Sequence, residues 1–289
     1  MEEHSAPPRC LRARWLGRVA YRDAWALQQA LAAARADGTL AEDQLLLLEH
    51  DPVLTLGRNA SQAHVLALPE LLAARGIEVL RVERGGEVTY HGPGQLVAYP
   101  IVALVAGPHA LGVRPFVEAL EGAMADTCAA AGVAAGSRPG HPGCWVAADT
   151  PLPRKIGALG IRVARGVSFH GIALNVTTNL ADFGLIDPCG MPGLRTSSLA
   201  RERERAHLGP ADVAPSTESV ARAATTFAAA LADRLGFELA GDLPPAADAA
   251  EGRRALAAEV AGLSAGRSRV PAPVTPGPGV PTPTPTGAR

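Results

Sequence analysis

Residues 84–101 read RGGEVTYHGPGQLVAYPI, a polar loop rich in glycine that leads into an apolar stretch. Five of the first twelve positions are glycine or proline, and Arg84, Thr89 and His91 lie among them. Glycines lack a Cβ and let backbone N–H groups approach a ligand, and irregular segments between rigid strands often carry sites. The stretch therefore predicts a ligand-binding loop followed by a buried strand, with an ordinary surface turn as the alternative. It lacks the lysine of a phosphate-binding loop.

The rest of the chain mixes helical and strand patterns without strict alternation. A helical period of apolar residues covers residues 21–37, 69–75, 114–131 and 217–235. Short apolar runs that predict strands cover residues 44–49, 53–56, 77–82, 96–101, 144–147, 156–163 and 167–176. This mixture predicts an α/β (α+β) fold in which a mixed β-sheet is flanked by helices.

Composition divides the chain into three parts. Residues 1–18 form a polar, Arg-rich N-terminal lead without a clear pattern, and residues 19–245 form the predicted catalytic domain. Residues 246–289 form a C-terminal extension whose end is rich in proline and threonine. Such a composition buries too little apolar surface to offset its ordering entropy, so we expect disorder from about residue 265.

Charge and hydropathy exclude two classes of protein. The chain has 27 basic and 28 acidic residues and a pI near 6.7, which argues against nucleic-acid binding. The longest apolar stretch, residues 96–106, is about half the length that spans a bilayer and contains Pro100. The N-terminus lacks the basic-then-apolar pattern of a signal peptide. We therefore expect a soluble, cytoplasmic protein that binds neither nucleic acid nor membrane.

The four cysteines, Cys10, Cys128, Cys144 and Cys189, are widely separated and form no C-x-x-C pair. In the cytoplasm this spacing predicts free thiols rather than disulfides or a zinc site. Cys128 falls in a predicted helix and Cys144 in a predicted strand, so both are expected in the core. Cys189 is different because it lies between a proline and a glycine, in a turn that would present its thiol.

A reactive thiol needs a nearby cation or base. The sequence offers Lys155, which is the single lysine beside 26 arginines. Arginine stays charged, whereas lysine can exchange a proton, so a lone lysine is either a surface remnant or a functional group. His91 and His170 are alternative partners for Cys189, as in a Cys–His pair.

Four motifs together resemble the lipoyl(octanoyl) transferase family. They are RGGEVTYHGPGQ from Arg84, KIGALGIR from Lys155, SFHGIALNV from Ser168 and IDPCG from Ile186. They occur in the family's order and span most of residues 20–235. The stretch 191–215 is only loosely similar, and the Pro/Thr-rich tail lies outside the resemblance.

The resemblance implies a fold like that of the biotin protein ligases and lipoate ligases. It also implies that an octanoyl group moves from octanoyl-acyl carrier protein to a lysine of a lipoyl domain through a cysteine thioester. The acceptors would be the lipoyl domains of 2-oxoacid dehydrogenases and the glycine cleavage H protein. No metal and no cofactor is implied.

By motif, Cys189 matches the acyl-thioester cysteine and Lys155 the lysine that pairs with it. The substrate-binding residues implied by the resemblance are Arg84, Gly85, Gly86, Glu87, Val88, Thr89, Tyr90, His91, Ala158, Leu159, Gly160, His170, Gly171, Ile172 and Ala173.

Three other functions remain open on the sequence. An ATP-dependent lipoate ligase would not need a cysteine nucleophile. A non-catalytic acyl-binding protein would not need both Cys189 and Lys155. A Cys–His hydrolase using His170 would release free octanoate without an acceptor.

Overall fold

The computed structural model of the chain describes residues 9–105, 110–187, 195–208, 217–244 and 249–265. The strands are β1 (Cys10–Val19), β2 (Asp43–His50), β3 (Val53–Leu56), β4 (Glu78–Arg81), β5 (Val88–His91), β6 (Gln95–Ile101), β7 (Ala135–Arg138), β8 (His141–Val146), β9 (Arg154–Ala164), β10 (Val167–Asn175), β11 (Arg195–Thr196) and β12 (Glu238–Asp242). The helices are α1 (Tyr21–Ala36), α2 (Pro69–Ala74), α3 (Val113–Ala130), α4 (Leu199–Arg205), α5 (Thr217–Leu235) and α6 (Ala249–Ala265). Short 3₁₀ helices cover Gln62–His64 and Leu180–Leu185.

The main sheet has the strand order β12-β1-β2-β6-β10-β9-β8-β7, with β11 paired to β9. Strand β1 runs parallel to β12 and β2, whereas the neighbours from β2 to β7 are antiparallel. A smaller sheet of order β4-β3-β5 lies beside it. The mixed sheet with flanking helices predicted from the sequence is confirmed.

Each face of the main sheet is covered by two helices. Helices α3 and α5 pack on one face, where Phe116 and Phe227 are fully buried. Helices α1 and α6 pack on the other face around Leu31 and Leu256. No helix in the described ranges is long and apolar enough to cross a membrane.

The structure differs from the sequence expectation at both ends of the main sheet. Strand β1 starts inside the predicted N-terminal lead, because Leu11, Ala13 and Trp15 alternate inward between arginines. Two of these arginines are neutralised, since Arg12 pairs with Glu42 and Arg14 with Glu259, each at 2.6 Å. Because charged arginines interrupt the apolar pattern, the sequence did not predict strand β1.

The predicted C-terminal extension begins with helix α6, which belongs to the packed molecule. Leu256 is fully buried, Arg253 donates to the Leu16 carbonyl oxygen, and Glu259 pairs with Arg14 of β1. The tail beyond residue 265, expected to be disordered, lies outside the described residues.

Candidate active site

A cleft with an empty volume of about 820 Å³, part of it open to solvent, lies over strands β9 and β10. The cleft brings together fourteen of the residues singled out by the sequence: Arg84, Gly86, Glu87, Val88, Thr89, His91, Lys155, Ala158, Leu159, Gly160, His170, Gly171, Ile172 and Ala173. Segments far apart in the chain therefore meet around one cavity.

Two predicted substrate-binding residues, Gly85 and Tyr90, support the cleft rather than line it. The Gly85 N–H donates to the Ile161 carbonyl oxygen at 3.0 Å, which ties the glycine-rich loop to β9. The Tyr90 ring is buried and packs edge-on against Phe183, with 5.6 Å between ring centroids.

Cys189 lies outside the described residues, so its predicted turn and its contact with Lys155 stay predictions. The described chain on either side of it borders the cleft. Phe183 and Thr196 both line the cavity, and Thr196 is the register partner of Lys155 in the β11–β9 pair.

The floor of the cleft is made of residues with small side chains. Ala158 is paired with Ala173, and Gly160 with Gly171, across the antiparallel β9–β10 ladder. A Cβ on Gly160 would lie 2.7 Å from the Gly85 carbonyl oxygen, so only glycine allows the loop to approach β9 this closely. Small residues on paired strands leave room for a narrow apolar chain.

Arg84 shapes the loop through its own hydrogen bonds. Its guanidinium donates to the Thr55 carbonyl oxygen at 2.6 Å, to Thr55 Oγ1 at 3.0 Å and to the Gly85 carbonyl oxygen at 3.0 Å. These bonds join the loop to strand β3 of the small sheet.

One side of the cleft is formed by closely packed rings, which we call the histidine–tyrosine wall: Tyr21, His91, Tyr99 and His170 line the cleft, and His50 lies behind them. Neighbouring ring centroids lie between 4.9 Å (Tyr21–His50) and 6.4 Å (Tyr99–His170). His50 Nδ1 lies 2.8 Å from the Val19 carbonyl oxygen and must donate to it. The Tyr99 hydroxyl, 2.7 Å from Nε2, then donates to His50.

Burial keeps the histidines of this wall neutral. It lowers the pKa of His50 to about 4, because the charged ring would lose its hydration. Burial lowers the pKa of His91 well below its usual value, and the positive charge of Arg84 acts in the same direction. His170 is lowered in pKa by burial as well, against the opposing effect of Glu83.

A chain of buried amides connects His91 with the strand that carries Lys155. His91 Nδ1 donates to Gln95 Oε1 at 2.8 Å, and Gln95 Nε2 donates to Asn175 Oδ1 at 3.0 Å. Asn175 Nδ2 donates to the Ser197 carbonyl oxygen at 2.9 Å, and the Ser197 N–H donates to the Lys155 carbonyl oxygen at 2.9 Å. The geometry of the cleft is thus fixed by a continuous set of hydrogen bonds.

His170 has a left-handed backbone, with φ of +56°, in the middle of β10. A regular strand would place it on the face opposite Phe169, yet its ring stacks on the Phe169 ring at 5.0 Å. The backbone N–H of His170 donates a hydrogen bond to Gln28 Oε1 at 2.7 Å. Such a conformation costs roughly 1–3 kcal/mol and usually marks a functional position.

The imidazole of His170 faces the cleft with both ring nitrogens buried and without a hydrogen-bond partner in the described part of the chain. Glu83 Oε1 lies 3.7 Å from Nε2, beyond hydrogen-bond length. Burial would raise the pKa of Glu83, but the nearby His170 ring and the Trp25 Nε1–H, which donates to Oε1 at 3.1 Å, lower the pKa to about 2. A neutral imidazole and a carboxylate therefore border this part of the cleft.

Sequence reasoning missed several lining residues, namely Tyr21, Gln95, Tyr99, Gly157, Asn175, Phe183 and Thr196. Three of them carry a usable signal, because Gln95, Tyr99 and Asn175 are polar groups in otherwise apolar strands. Buried polar side chains need partners and often mark a site.

The family model and the individual relatives that match this chain agree with one another. The model of the lipoyl protein ligase A/B catalytic domain matches residues 20–218. An octanoyltransferase of Acidobacterium capsulatum is 46% identical over 193 residues, which are 65% of this chain and 78% of that protein. An octanoyltransferase of Chloroflexus aurantiacus is 46% identical over 195 residues, which are 67% of this chain and 85% of that protein.

Among solved structures, the chain resembles a bi-partite lipoate protein ligase of Thermoplasma acidophilum, studied together with its E2 lipoyl domain. The TM-score is 0.55 and the identity 17%, over 89% of this chain and 92% of that one. This likeness shows the fold, and the closer relatives show the activity. The chain belongs to the lipoyl protein ligase A/B catalytic-domain family and, within it, to the octanoyltransferases of protein lipoylation.

Proposed function

We propose that this octanoyltransferase takes its acyl group from octanoyl-acyl carrier protein and holds it as a thioester on Cys189. The observation that carries the proposal is the position of Lys155. The single lysine of the chain lines the same cleft as the three predicted substrate-binding segments. The segment that contains Cys189 lies between Phe183 and Thr196, which also line the cleft.

In the first step, the Cys189 thiolate attacks the carbonyl carbon of the donor thioester. A carbon–sulfur bond to Cys189 forms, and the bond to the carrier thiol breaks. The leaving thiolate takes a proton from the Lys155 ammonium, which becomes a neutral amine. One thioester replaces another, so the step needs no ATP.

In the second step, the lysine amine of the lipoyl domain attacks the thioester carbon. The amide bond forms, the bond to Cys189 breaks, and Lys155 takes the proton lost by the attacking nitrogen. Cys189 returns as a thiolate beside the Lys155 ammonium, which restores the starting state. The charged form of Lys155 favours the thiolate in the first step.

The octanoyl chain would lie on the small residues of the floor. Burying each CH₂ contributes about 0.8 kcal/mol, so this surface supplies a large part of the binding energy. We propose the lipoyl domains of 2-oxoacid dehydrogenases and the glycine cleavage H protein as acceptors. We place the reaction in the cytoplasm, because the widely spaced cysteines are typical of a reducing compartment.

The deciding experiment incubates the full chain with octanoyl-acyl carrier protein alone, without acceptor or ATP. Peptide mass spectrometry should find one octanoyl group on Cys189, and adding a lipoyl domain should discharge it. Cys128→Ala is the matched control, because Cys128 is fully buried in the core and should leave acylation intact. Free octanoate without acceptor would indicate a hydrolase, and acylation that requires ATP would indicate a ligase.

A further inference from the structure

Trp145, which the sequence did not mark as functional, lies directly against Lys155. The two residues are register partners in the antiparallel β8–β9 pair, so their side chains leave the sheet on the same side. Lys155 Nζ stands 5.3 Å from the centroid of the Trp145 ring. This distance is within the range of a cation–π interaction.

The indole is held rigidly by other residues. Trp145 is 1% exposed, and its Nε1–H donates to the His141 carbonyl oxygen at 2.9 Å. The His141 ring packs edge-on at 6.0 Å, and the Arg138 guanidinium lies 5.6 Å from the indole centroid. The ring is therefore a fixed surface on which the flexible lysine rests.

Gly143 opens the space through which the lysine stem passes. Its φ is +121°, and a Cβ at this position would lie 2.9 Å from Lys155 Cε and 2.4 Å from the Gly157 carbonyl oxygen. The Gly143 N–H is bound by Glu121 Oε1 at 2.8 Å. Strand β8 thus offers Lys155 a gap beside an aromatic face.

Ordinary packing does not explain this arrangement well. Arg138 already places a cation on the indole, and a second cation nearby adds repulsion. The chain uses arginine at every other basic position, although arginine stacks on aromatic rings better than lysine does. A lysine kept on this ring indicates that its ability to lose a proton matters.

We propose that Trp145 is a positioning residue for octanoyl transfer, because its indole face holds the Lys155 side chain in the cleft and favours its protonated form. The inference rests on the proposed function of Lys155. Other charged or titratable groups on the neighbouring elements are constant in the test below: Arg138 on β7, Glu121 on α3, Arg154 on β9 with its partner Glu202 on α4, Arg195 on β11, and Arg84, Glu87, His91 and His170 around the cleft.

The single lysine allows a direct titration of this contact. The full-length protein is acetylated with trace acetic anhydride from about pH 6 to about pH 11, which brackets the usual lysine value. Modification of Lys155 is followed by peptide mass spectrometry, with the N-terminal amine as internal reference. Trp145→Met should move the midpoint for Lys155 down by about 0.5 to 1.5 pH units, and Trp145→Phe by a smaller amount. Equal midpoints in all three proteins overturn the proposal.

Loss of packing is separated from loss of the contact by a control variant. Phe116→Leu truncates another fully buried aromatic residue, on α3 in the core. It should lower the melting temperature without moving the Lys155 midpoint. If Trp145→Met does not fold, the comparison of Trp145→Tyr and Trp145→Phe with the unchanged protein carries the test.

Transfer kinetics decide whether the contact serves the reaction. Trp145→Met should lower the rate of transfer to a lipoyl domain by roughly 3- to 30-fold, with Trp145→Phe restoring most of it. In a Lys155→Met background, Trp145→Met should have no further effect. If acyl-Cys189 still forms and Trp145→Met transfers the octanoyl group to the lipoyl domain at the normal rate, the inference is overturned. Absence of acyl-Cys189 in the unchanged protein overturns the proposed function, and the titration still reports on the contact.

Discussion

The Lys155 region and the histidine–tyrosine wall hold their functional groups in opposite ways. Lys155 extends from strand β9 over a glycine gap and rests on the Trp145 ring. The wall instead consists of buried rings, and several of their polar atoms are fixed by short hydrogen bonds, such as that from the Tyr99 hydroxyl to His50 Nε2 at 2.7 Å. One region keeps a flexible cation that can exchange a proton, and the other keeps its imidazoles neutral.

From this difference we infer a different task for each region. A group that gives and takes a proton needs a pKa that its surroundings can move, and an aromatic face beside a cleft allows this. A binding surface for an apolar chain must stay uncharged and keep its shape. Burial keeps His50, His91 and His170 uncharged. The left-handed backbone at His170 helps to keep the shape of the surface.

The largest effect is expected for Lys155→Arg, which tests proton exchange in the Lys155 region. Arginine keeps the positive charge that favours a Cys189 thiolate but does not act as a base at accessible pH. Acylation of Cys189 should survive in part, while transfer to the lipoyl domain falls by about 10²–10⁴, so acyl-enzyme accumulates. Single-turnover measurements of both steps check this. An equal loss in the two steps would reduce Lys155 to a charge or a packing group.

The histidine–tyrosine wall predicts a loss of stability in mild acid. The folded pKa of His50 is about 4, below the unfolded value of about 6.5. Between these values the unfolded chain binds a proton that the folded state refuses, so this stability is complete above pH 6.5 and is lost as the pH falls toward 4. His50 alone accounts for on the order of 3 kcal/mol.

Urea unfolding at a series of pH values between these limits measures this dependence. His50→Gln should flatten the curve by roughly 1.4 kcal/mol for each pH unit, whatever its effect on the absolute stability. The exposed His207 provides the control, as His207→Asn because the backbone there is left-handed. An unchanged slope in His50→Gln would mean that the buried ring is charged in the folded protein.

The two regions also differ in how much of them the sequence predicts. Lys155 stands out because it is the single lysine, and the glycine-rich loop stands out by composition. Trp145 could be assigned only to a strand, because its contact with Lys155 depends on the β8–β9 register and on an irregularity between Cys144 and Trp145. Pairing between strands is a tertiary property that local pattern does not specify.

The histidine–tyrosine wall is even harder to predict from the sequence than the Lys155 region. Its rings come from α1, β2, β5, β6 and β10, and Gln28 reaches His170 across 142 residues. The elements themselves were predicted well where the apolar period was clean, as for α5 at Thr217–Leu235. They were missed where arginines interrupt the pattern, as in β1, or where small residues dilute it, as in α6.

The substitution Ala158→Leu tests whether the acyl chain lies on the floor of the cleft. The added side chain would occupy space above Ala173, its partner across the ladder, and exclude two or three carbons of the acyl chain. At about 0.8 kcal/mol per CH₂, kcat/KM for octanoyl donors should fall roughly 10- to 100-fold, while butanoyl donors are affected little. Ala164→Leu, at the exposed end of the same strand, is the control. A parallel loss for both donors would show that the acyl chain lies elsewhere.

The smallest effect is expected for removal of the Pro/Thr-rich tail, and a second, longer truncation provides the comparison. Ending the chain after residue 265 removes only the Pro/Thr-rich tail and should leave turnover and melting temperature nearly unchanged.

Ending the chain after residue 245 also removes α6, with the fully buried Leu256 and the pair between Arg14 and Glu259. That loss should cost about 2–5 kcal/mol of the free energy of unfolding, as for a large core deletion. Because α6 packs on the face of the sheet that carries Tyr99, the shorter protein should also weaken octanoyl binding. A large drop in turnover from the first truncation would show that the tail contributes to one of the two regions.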